Sequence, residues 1–279
     1  MATAESRPPA QPPANGRVRP SVGVSIGVSI VYTVAFLSMP VVSGLEYADW
    51  FDTAENAART GIAGLLAGTA VLLAFLAWAR WDMLWRDPER LPMSWGLWTP
   101  PALFAVVIGV RFGSIQWGDV PVRLLLAILA AGVLVGFAEE MMFRGIFLRG
   151  MRTRGRAEGW AMLWTTIAFG ALHLPNVFLG TGLVGLAQFP LAALTGVTLY
   201  LFRRGFGSIL AAMAAHGLWD ISTFLDLNHG KGIAHDIALY GSLVVSAASL
   251  TALISIIRRG RGIAVTPAGI VPVEQARAA

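Results

Sequence analysis

The 279-residue sequence contains no cysteine and little charge. Without cysteine it can form no disulfide, no thiolate nucleophile and no cysteine-ligated zinc site. Charged residues make up 13% of the chain, whereas soluble globular domains carry roughly 25%. Lysine is nearly absent as well, since Lys231 is the only one among 21 basic residues. This shortage of charge indicates that lipid, rather than water, surrounds much of the protein.

Apolar residues are correspondingly abundant, at 56% of the chain. They form successive stretches of about 20 residues, the length that crosses a bilayer as a helix. The stretches are 21–45, 61–79, 97–114, 121–148, 163–180, 183–202, 206–225 and 237–257. The third is the weakest because Arg111 interrupts it. The pattern predicts an all-α fold, a polytopic transmembrane helical bundle of about eight spans.

The basic residues alternate between the loops. If the N-terminus is cytoplasmic, at least 15 of them fall on the cytoplasmic side, while the other side holds Arg59 and Lys231 and at most Arg111 and Arg123. Cytoplasmic loops of membrane proteins carry the excess of Lys and Arg, so we expect both termini to be cytoplasmic. This placement explains the net charge of +5 without nucleic acid, and the expected surroundings are a lipid bilayer.

The chain divides by composition into a membrane part and two tails. The bias towards arginine, alanine and glycine is typical of a GC-rich genome, so we expect the cytoplasmic membrane of a bacterium. The predicted units are a disordered cytoplasmic tail at 1–20, N-terminal transmembrane helices at 21–120, a core at 121–225, a last transmembrane helix at 226–257 and a cytoplasmic tail at 258–279.

Three polar motifs interrupt the apolar spans of the core. Each joins residues four positions apart, which lie on one face of a helix. They are EExxxR (Glu139, Glu140 and Arg144) on the fourth span, FxxxH (Phe169 and His173) on the fifth and HxxxD (His216 and Asp220) on the seventh.

The depth of these residues points to a shared site. With the fifth span beginning near Trp164, Glu140, His173 and His216 each lie about nine residues, or ~13 Å, from the cytoplasmic end of a span. An ionisable side chain inside the bilayer costs about 2.5–3.5 kcal/mol on insertion scales, and such residues usually face the bundle interior and mark function. The sequence therefore predicts one pocket in the cytoplasmic half of the bundle.

In this order and on successive membrane helices, the three motifs resemble the CPBP family of intramembrane proteases. That family includes type II CAAX prenyl endopeptidases, Abi-type proteins and bacteriocin-immunity relatives. The resemblance covers residues 121–225 and implies an endopeptidase that hydrolyses a peptide bond of a membrane-associated protein or peptide. The prenylated CAAX substrate is not expected in a bacterium, where a peptide, pheromone, bacteriocin or membrane protein fits better.

The resemblance also implies residue roles. Glu140 activates water with help from His216, while His173 and Asp220 contact the oxyanion or orient the water. Asp220 stands where many relatives carry asparagine. An ionised aspartate repels an oxyanion, so Asp220 is protonated, orients His216 or binds a metal. Glu139 has two interpretations of equal weight, a catalytic group or a structural partner of Arg144.

Structural interpretations remain beside the catalytic ones. Glu140 with Arg144 could be an ion pair that holds a helix end, His173 an interhelical hydrogen bond, and His216 with Asp220 a polar clamp between spans. The binding of one divalent metal is also an open alternative. Glu140, His173 and His216 make a two-histidine, one-carboxylate set that zinc accepts, with a position left for water. The sequence has no HExxH helix to strengthen that reading.

Two other function classes stay open. A catalytically silent membrane scaffold, or an immunity-type protein that sequesters a peptide, would keep the fold without hydrolysis. A transporter with a proton-coupled Glu/His relay would show internal repeats and broken helices in both halves. The sequence shows neither, because the polar motifs cluster between residues 139 and 220.

Overall fold

A computed structural model describes residues 17–278, and within them the chain forms a helical bundle with one small hairpin. The predicted all-α, polytopic fold class is confirmed. Most of the predicted tail at 1–20 lies outside the described residues. The long helices of the described part are α1 (Val22–Ser43), α2 (Ala54–Ala79), α3 (Trp95–Ser114), α4 (Val122–Arg152), α5 (Glu158–Ala171), α6 (Val184–Phe206), α7 (Ile209–His229) and α8 (Gly232–Arg259).

Seven segments of the described chain are long and apolar enough to cross a membrane, and they contain every long helix except α7. Helix α7 has 21 residues, so its length suffices, but it carries His216, Asp220 and Asp226. It packs against α3, α4 and α6. His216 and Asp226 are buried there, and Asp220 is half-buried. A helix enclosed by other helices can carry polar groups that a lipid-facing helix cannot.

The loops gather at two ends of the bundle, as the alternation of charge predicts. At the first, which we call the basic end, Trp81 Nε1 donates to the Val18 carbonyl at 2.8 Å, and Gly155 packs against Ala276. The segments nearest both termini therefore lie at this end. Its loops cover residues 80–94, 153–157, 207–208 and 260–262.

The opposite end, which we call the acidic end, carries Glu46, Asp49, Asp52 and Asp119. Contacts between its loops are hydrogen bonds from Tyr47 N to Leu179 O (2.7 Å) and from Asn228 Nδ2 to Phe51 O (3.0 Å), and an ion pair between Lys231 and Asp119 (3.0 Å). Which side of the membrane each end faces stays a prediction.

Helices α4 and α7 approach each other closely. The GxxxG spacing of Gly132 and Gly136 predicts a close neighbouring helix, and α7 is that neighbour. A Cβ atom on Gly136 would lie 2.4 Å from the Met213 carbonyl oxygen, and one on Gly217 would lie 2.7 Å from the Gly132 carbonyl oxygen. Only glycine therefore permits this spacing, which brings the EExxxR and HxxxD motifs side by side.

The fifth span differs from the prediction. Helix α5 begins at Glu158 rather than near Trp164 and ends at Ala171, and a 3-10 turn follows at Leu174–Phe178. Pro175 explains the ending, because it has no N–H to donate to the carbonyl of Ala171, four residues earlier, and its ring would clash with that carbonyl. His173 thus lies beyond the helix, 15 residues after Glu158 (173 minus 158), whereas the sequence count placed it nine residues into the span.

The C-terminal segment is more ordered than a tail. Strand β1 (Ile263–Thr266) pairs antiparallel with β2 (Gly269–Pro272), and a short helix α9 (Val273–Ala278) follows. Gly269 has φ +121°, a conformation that favours glycine. Strands of four residues are too short for an alternating pattern to stand out in the sequence.

Candidate active site

The polar motifs meet at a cavity of about 360 Å³ within the bundle. Glu139 from α4, His173 from the segment after α5, and His216 and Asp220 from α7 lie on its wall. The rest of the wall is largely apolar and aromatic. Three separate parts of the chain therefore bring titratable groups to one enclosed space.

Glu140 and Arg144 lie behind this wall and form an ion pair. Arg144 Nη1 is 2.7 Å from Glu140 Oε1, and both side chains are fully buried. Arg144 also donates from Nη2 to the Gly196 carbonyl oxygen on α6 at 2.8 Å. Gly196 leaves the space that this contact requires, because a Cβ there would lie 3.0 Å from Nη2. The pair that the i, i+4 spacing predicts is thus present and is anchored to a neighbouring helix.

His216 connects the buried pair to the cavity. Its Nδ1 lies 2.9 Å from Glu140 Oε1, and because a carboxylate only accepts, the ring donates through Nδ1–H. Its Nε2 lies 3.7 Å from Asp220 Oδ2 and 4.0 Å from Glu139 Oε2. The imidazole is therefore held from behind by Glu140 and turns its second nitrogen towards the two cavity carboxylates.

His173 is oriented by its own backbone turn. Its Nδ1 lies 3.1 Å from the Phe169 carbonyl oxygen, which can only accept, so Nδ1 carries a proton and Nε2 of the neutral ring is an acceptor. The Phe169 ring packs between the histidines, with centroid distances of 5.3 Å to His173 and 5.5 Å to His216. The Arg144 guanidinium lies 4.3 Å above the same ring. Phe169 thereby spaces the two imidazoles.

All six residues of the sequence-predicted site come together, but in two layers. Glu139, His173, His216 and Asp220 face the cavity, whereas Glu140 and Arg144 support His216 from behind. The motifs did not distinguish these two layers, and the water-activating role that they gave to Glu140 stays a prediction.

A comparison with family models identifies the segment that carries this site. Residues 121–222 match the family described as Type II CAAX prenyl endopeptidase Rce1-like. This segment of the chain is similar to that family. The match confirms the resemblance inferred from the motifs, and it contains all six site residues. The comparison with curated proteins found no match.

The residues of the predicted zinc set are held by other partners in this arrangement. In the part of the chain that the structure describes, no group of three or more His, Asp or Glu residues is placed to hold a metal ion. Glu140 Oε1 is engaged by Arg144 and His216, and His173 Nδ1 by a backbone carbonyl. Metal binding by Glu140, His173 and His216 stays a prediction.

Arg203 supports the site from the basic end. The sequence analysis missed this role, because it counted Arg203 only among the basic residues that set the orientation in the membrane. Its guanidinium donates to the Arg144 carbonyl oxygen, within the π-helical segment Met141–Phe147 of α4. It also donates to the Met83 carbonyl at 2.7 Å and to Asp87 at 2.7 Å. A π-helical segment shifts the regular helix bonding, and Arg203 provides a partner for one of its carbonyls.

Arg111, which only weakened the third span in the sequence, is a second missed residue. It is 6% exposed and donates to Thr223 Oγ1 at 2.5 Å and to Ser242 Oγ at 2.9 Å. Its guanidinium lies 3.9 Å from the Trp219 ring centroid. It therefore ties α3 to α7 and α8 beside the cavity. Its isolation within an apolar span was the signal for an interior role.

Proposed function

We propose that the protein is an intramembrane endopeptidase that hydrolyses a peptide bond of a membrane-associated protein or peptide, in the cytoplasmic membrane of a bacterium. The observation that carries the proposal is the single cavity onto which a carboxylate, Glu139, and two oriented histidines, His173 and His216, face. The family match of residues 121–222 supports the same class of reaction.

The cavity favours Glu139 over Glu140 as the group that activates water. Glu139 lies on the cavity wall, whereas Glu140 Oε1 is already bound by Arg144 and His216. A general base must reach the proton that it abstracts directly or through one water. Glu139 is therefore assigned the base, with the free Nε2 of His173 accepting the second hydrogen bond of the same water.

The reaction then needs a proton donor and charge stabilisation. As water attacks the carbonyl carbon, its proton moves to Glu139, and the carbonyl oxygen becomes an oxyanion. In this step His216 is the imidazolium, which carries a proton on each nitrogen. Its Nε2–H donates to the oxyanion while its Nδ1–H stays bound to Glu140 and holds the ring in place. Glu139 returns the proton to the amide nitrogen, the C–N bond breaks, and the products are a carboxylate and an amine.

Asp220 is assigned a positioning role in this scheme. Its Oδ2 lies 3.7 Å from His216 Nε2 and its side chain is 21% exposed. A carboxylate at this place favours the orientation of the ring in which Nε2 points into the cavity. Of the roles considered for Asp220, the orientation of His216 is the one that this geometry supports.

Comparison of peptide termini in membranes tests the proposal. Membranes that express wild-type protein should contain cleaved termini that are missing with Glu139→Gln at equal amounts of folded protein. Glu55→Gln is a matched control, because Glu55 has a side chain that is 78% exposed. Identical sets of termini in wild type and Glu139→Gln would contradict hydrolysis and favour the silent scaffold or immunity-type protein.

A further inference from the structure

The cavity extends from the site towards the acidic end of the bundle. On the side of the acidic end its wall includes Tyr47, Trp50 and Phe51 from the loop after α1, together with Asn176 and Gln188. The polar members of this wall are linked, since Asn176 Nδ2 donates to Gln188 Oε1 at 2.8 Å and Gln188 Nε2 donates to Tyr47 Oη at 3.4 Å. Loops of the acidic end thus build the outer part of the cavity.

The basic end is closed beneath the site. Met141, Met142, Phe143 and Ile146 of α4 are at most 2% exposed, and they fill the space next to the ion pair of Glu140 and Arg144. Within residues 17–278, none of the basic-end loops contributes to the cavity wall. Close-packed buried side chains leave no path for a peptide.

Charges below this apolar layer reinforce the closure. Arg152 pairs with Asp87 and with Glu158, at 2.6 Å in each case, and Arg203 pairs with Asp87 at 2.7 Å. These side chains are at most 2% exposed. Opening this end would separate several buried ion pairs, which is costly because it leaves charges unpaired away from water.

We infer that substrate reaches the active site from the acidic end, and that the segment it cleaves is a peptide on the non-cytoplasmic side of the membrane. The side follows from the concentration of arginine at the opposite end. This inference rests on the proposed function, because only a hydrolase has a substrate to cleave. The route itself rests on the cavity, and the side rests on the charges of the loops. A lipidated C-terminus that stays in the cytoplasm could not reach Glu139 by this route.

Single cysteines test the side of each end, because the sequence contains none. Glu46→Cys introduces an exposed thiol at the acidic end, and Arg154→Cys an exposed thiol at the basic end. A membrane-impermeant maleimide added to intact cells should label Glu46→Cys and should label Arg154→Cys only after the membrane is permeabilised. The reverse pattern would overturn the inference.

A second pair of cysteines tests the route. Asp220→Cys and Thr223→Cys place thiols on the cavity wall, and a small charged methanethiosulfonate should modify them from the acidic end faster than from the basic end, in vesicles of opposite orientation. Thr223→Cys serves if Asp220→Cys does not fold. Faster modification from the basic end would overturn the route. Labelling needs no catalysis, so a failed cleavage experiment leaves this result intact.

Discussion

His216 is the residue on which the two layers of the site depend. Its Nδ1 contacts the buried Glu140 and its Nε2 faces Glu139 and Asp220 across the cavity. A hydrogen bond at one ring nitrogen of a histidine fixes the orientation of the ring. The adjacent glutamates therefore have different tasks. Glu140 holds the His216 ring, and Glu139 faces the cavity beside it.

The different tasks of the two glutamates lead to a ranking. Glu139→Gln should lower kcat by about 10²- to 10⁴-fold, the usual contribution of a general base, because glutamine keeps the shape but cannot accept the proton. Glu140→Gln should cost less, since its amide oxygen can still accept from His216. Steady-state kinetics on a cleaved peptide measure the loss of kcat in each variant. A larger loss in Glu140→Gln than in Glu139→Gln would indicate that Glu140 activates water.

The buried ion pair leads to a prediction about stability. Arg144→Leu leaves the Glu140 carboxylate without its cation, and removing one partner of a buried pair costs about 3–5 kcal/mol. The double variant Arg144→Leu with Glu140→Leu should recover part of this loss. Thermal unfolding in detergent measures both, and equal losses in the single and double variants would mean that the pair itself contributes little.

At the scale of elements, helix α4 carries both the catalytic carboxylates and the close contact with α7. The contact depends on glycine, because the backbones of the two helices touch at Gly136 and Met213. The EExxxR motif begins three residues after Gly136. The separation of α4 and α7 therefore sets the distance from the glutamates to His216.

Gly136→Ala tests this dependence. The added Cβ would lie 2.4 Å from a backbone oxygen, so the helices must separate, and overpacking of this kind costs about 1–3 kcal/mol. We expect both the thermal midpoint and kcat to fall. Gly113→Ala on α3 is the control, because nothing lies within 4 Å of its Cβ position. Equal behaviour of the two variants would show that helix spacing does not control the site.

At the scale of the whole molecule, one network of charges ties the basic-end loops to the helices that carry the site. Asp87 lies in the loop between α2 and α3 and pairs with Arg152 of α4 and Arg203 of α6. Arg203 also contacts the Arg144 carbonyl. The loop is therefore connected to the site helix α4 directly through Arg152 and indirectly through Arg203.

Asp87 should make stability depend on pH. Burial raises its pKa, but the attraction of Arg152 and Arg203 outweighs this and lowers the pKa from 3.8 to about 2. The ionised form is favoured by folding, so its contribution is complete above pH ~4 and is lost as the pH falls towards 2. Thermal midpoints of wild type should exceed those of Asp87→Asn above pH ~4 and converge with them near pH 2.

The matched control for this pH series is Asp119→Asn, whose carboxylate is 61% exposed in its pair with Lys231. Surface pairs contribute about 0–1 kcal/mol, so its midpoints should follow those of the wild type throughout. A constant gap between wild type and Asp87→Asn down to pH 2 would contradict the lowered pKa.

The sequence by itself determined the helices, the two ends and the identity of the motif residues. Apolar runs of spanning length predict helices because lipid cannot satisfy backbone polar groups in any open structure. The i, i+4 spacing places Glu140 beside Arg144, and the loop charges sort the loops into two sets. These features depend on neighbouring residues or on counts of charges in each loop. They can therefore be predicted without knowing any contact between distant residues.

Tertiary structure alone decided which residue faces the cavity. Glu139 and Glu140 differ by about 100° around the same helix, and only the positions of α5, α6 and α7 show which direction holds the cavity. The end of α5 before His173, the partners of Arg203 and Arg111, and the closure of the basic end likewise depend on contacts between residues far apart in the chain. No periodicity in the sequence records such contacts, because each depends on the packing of several helices at once.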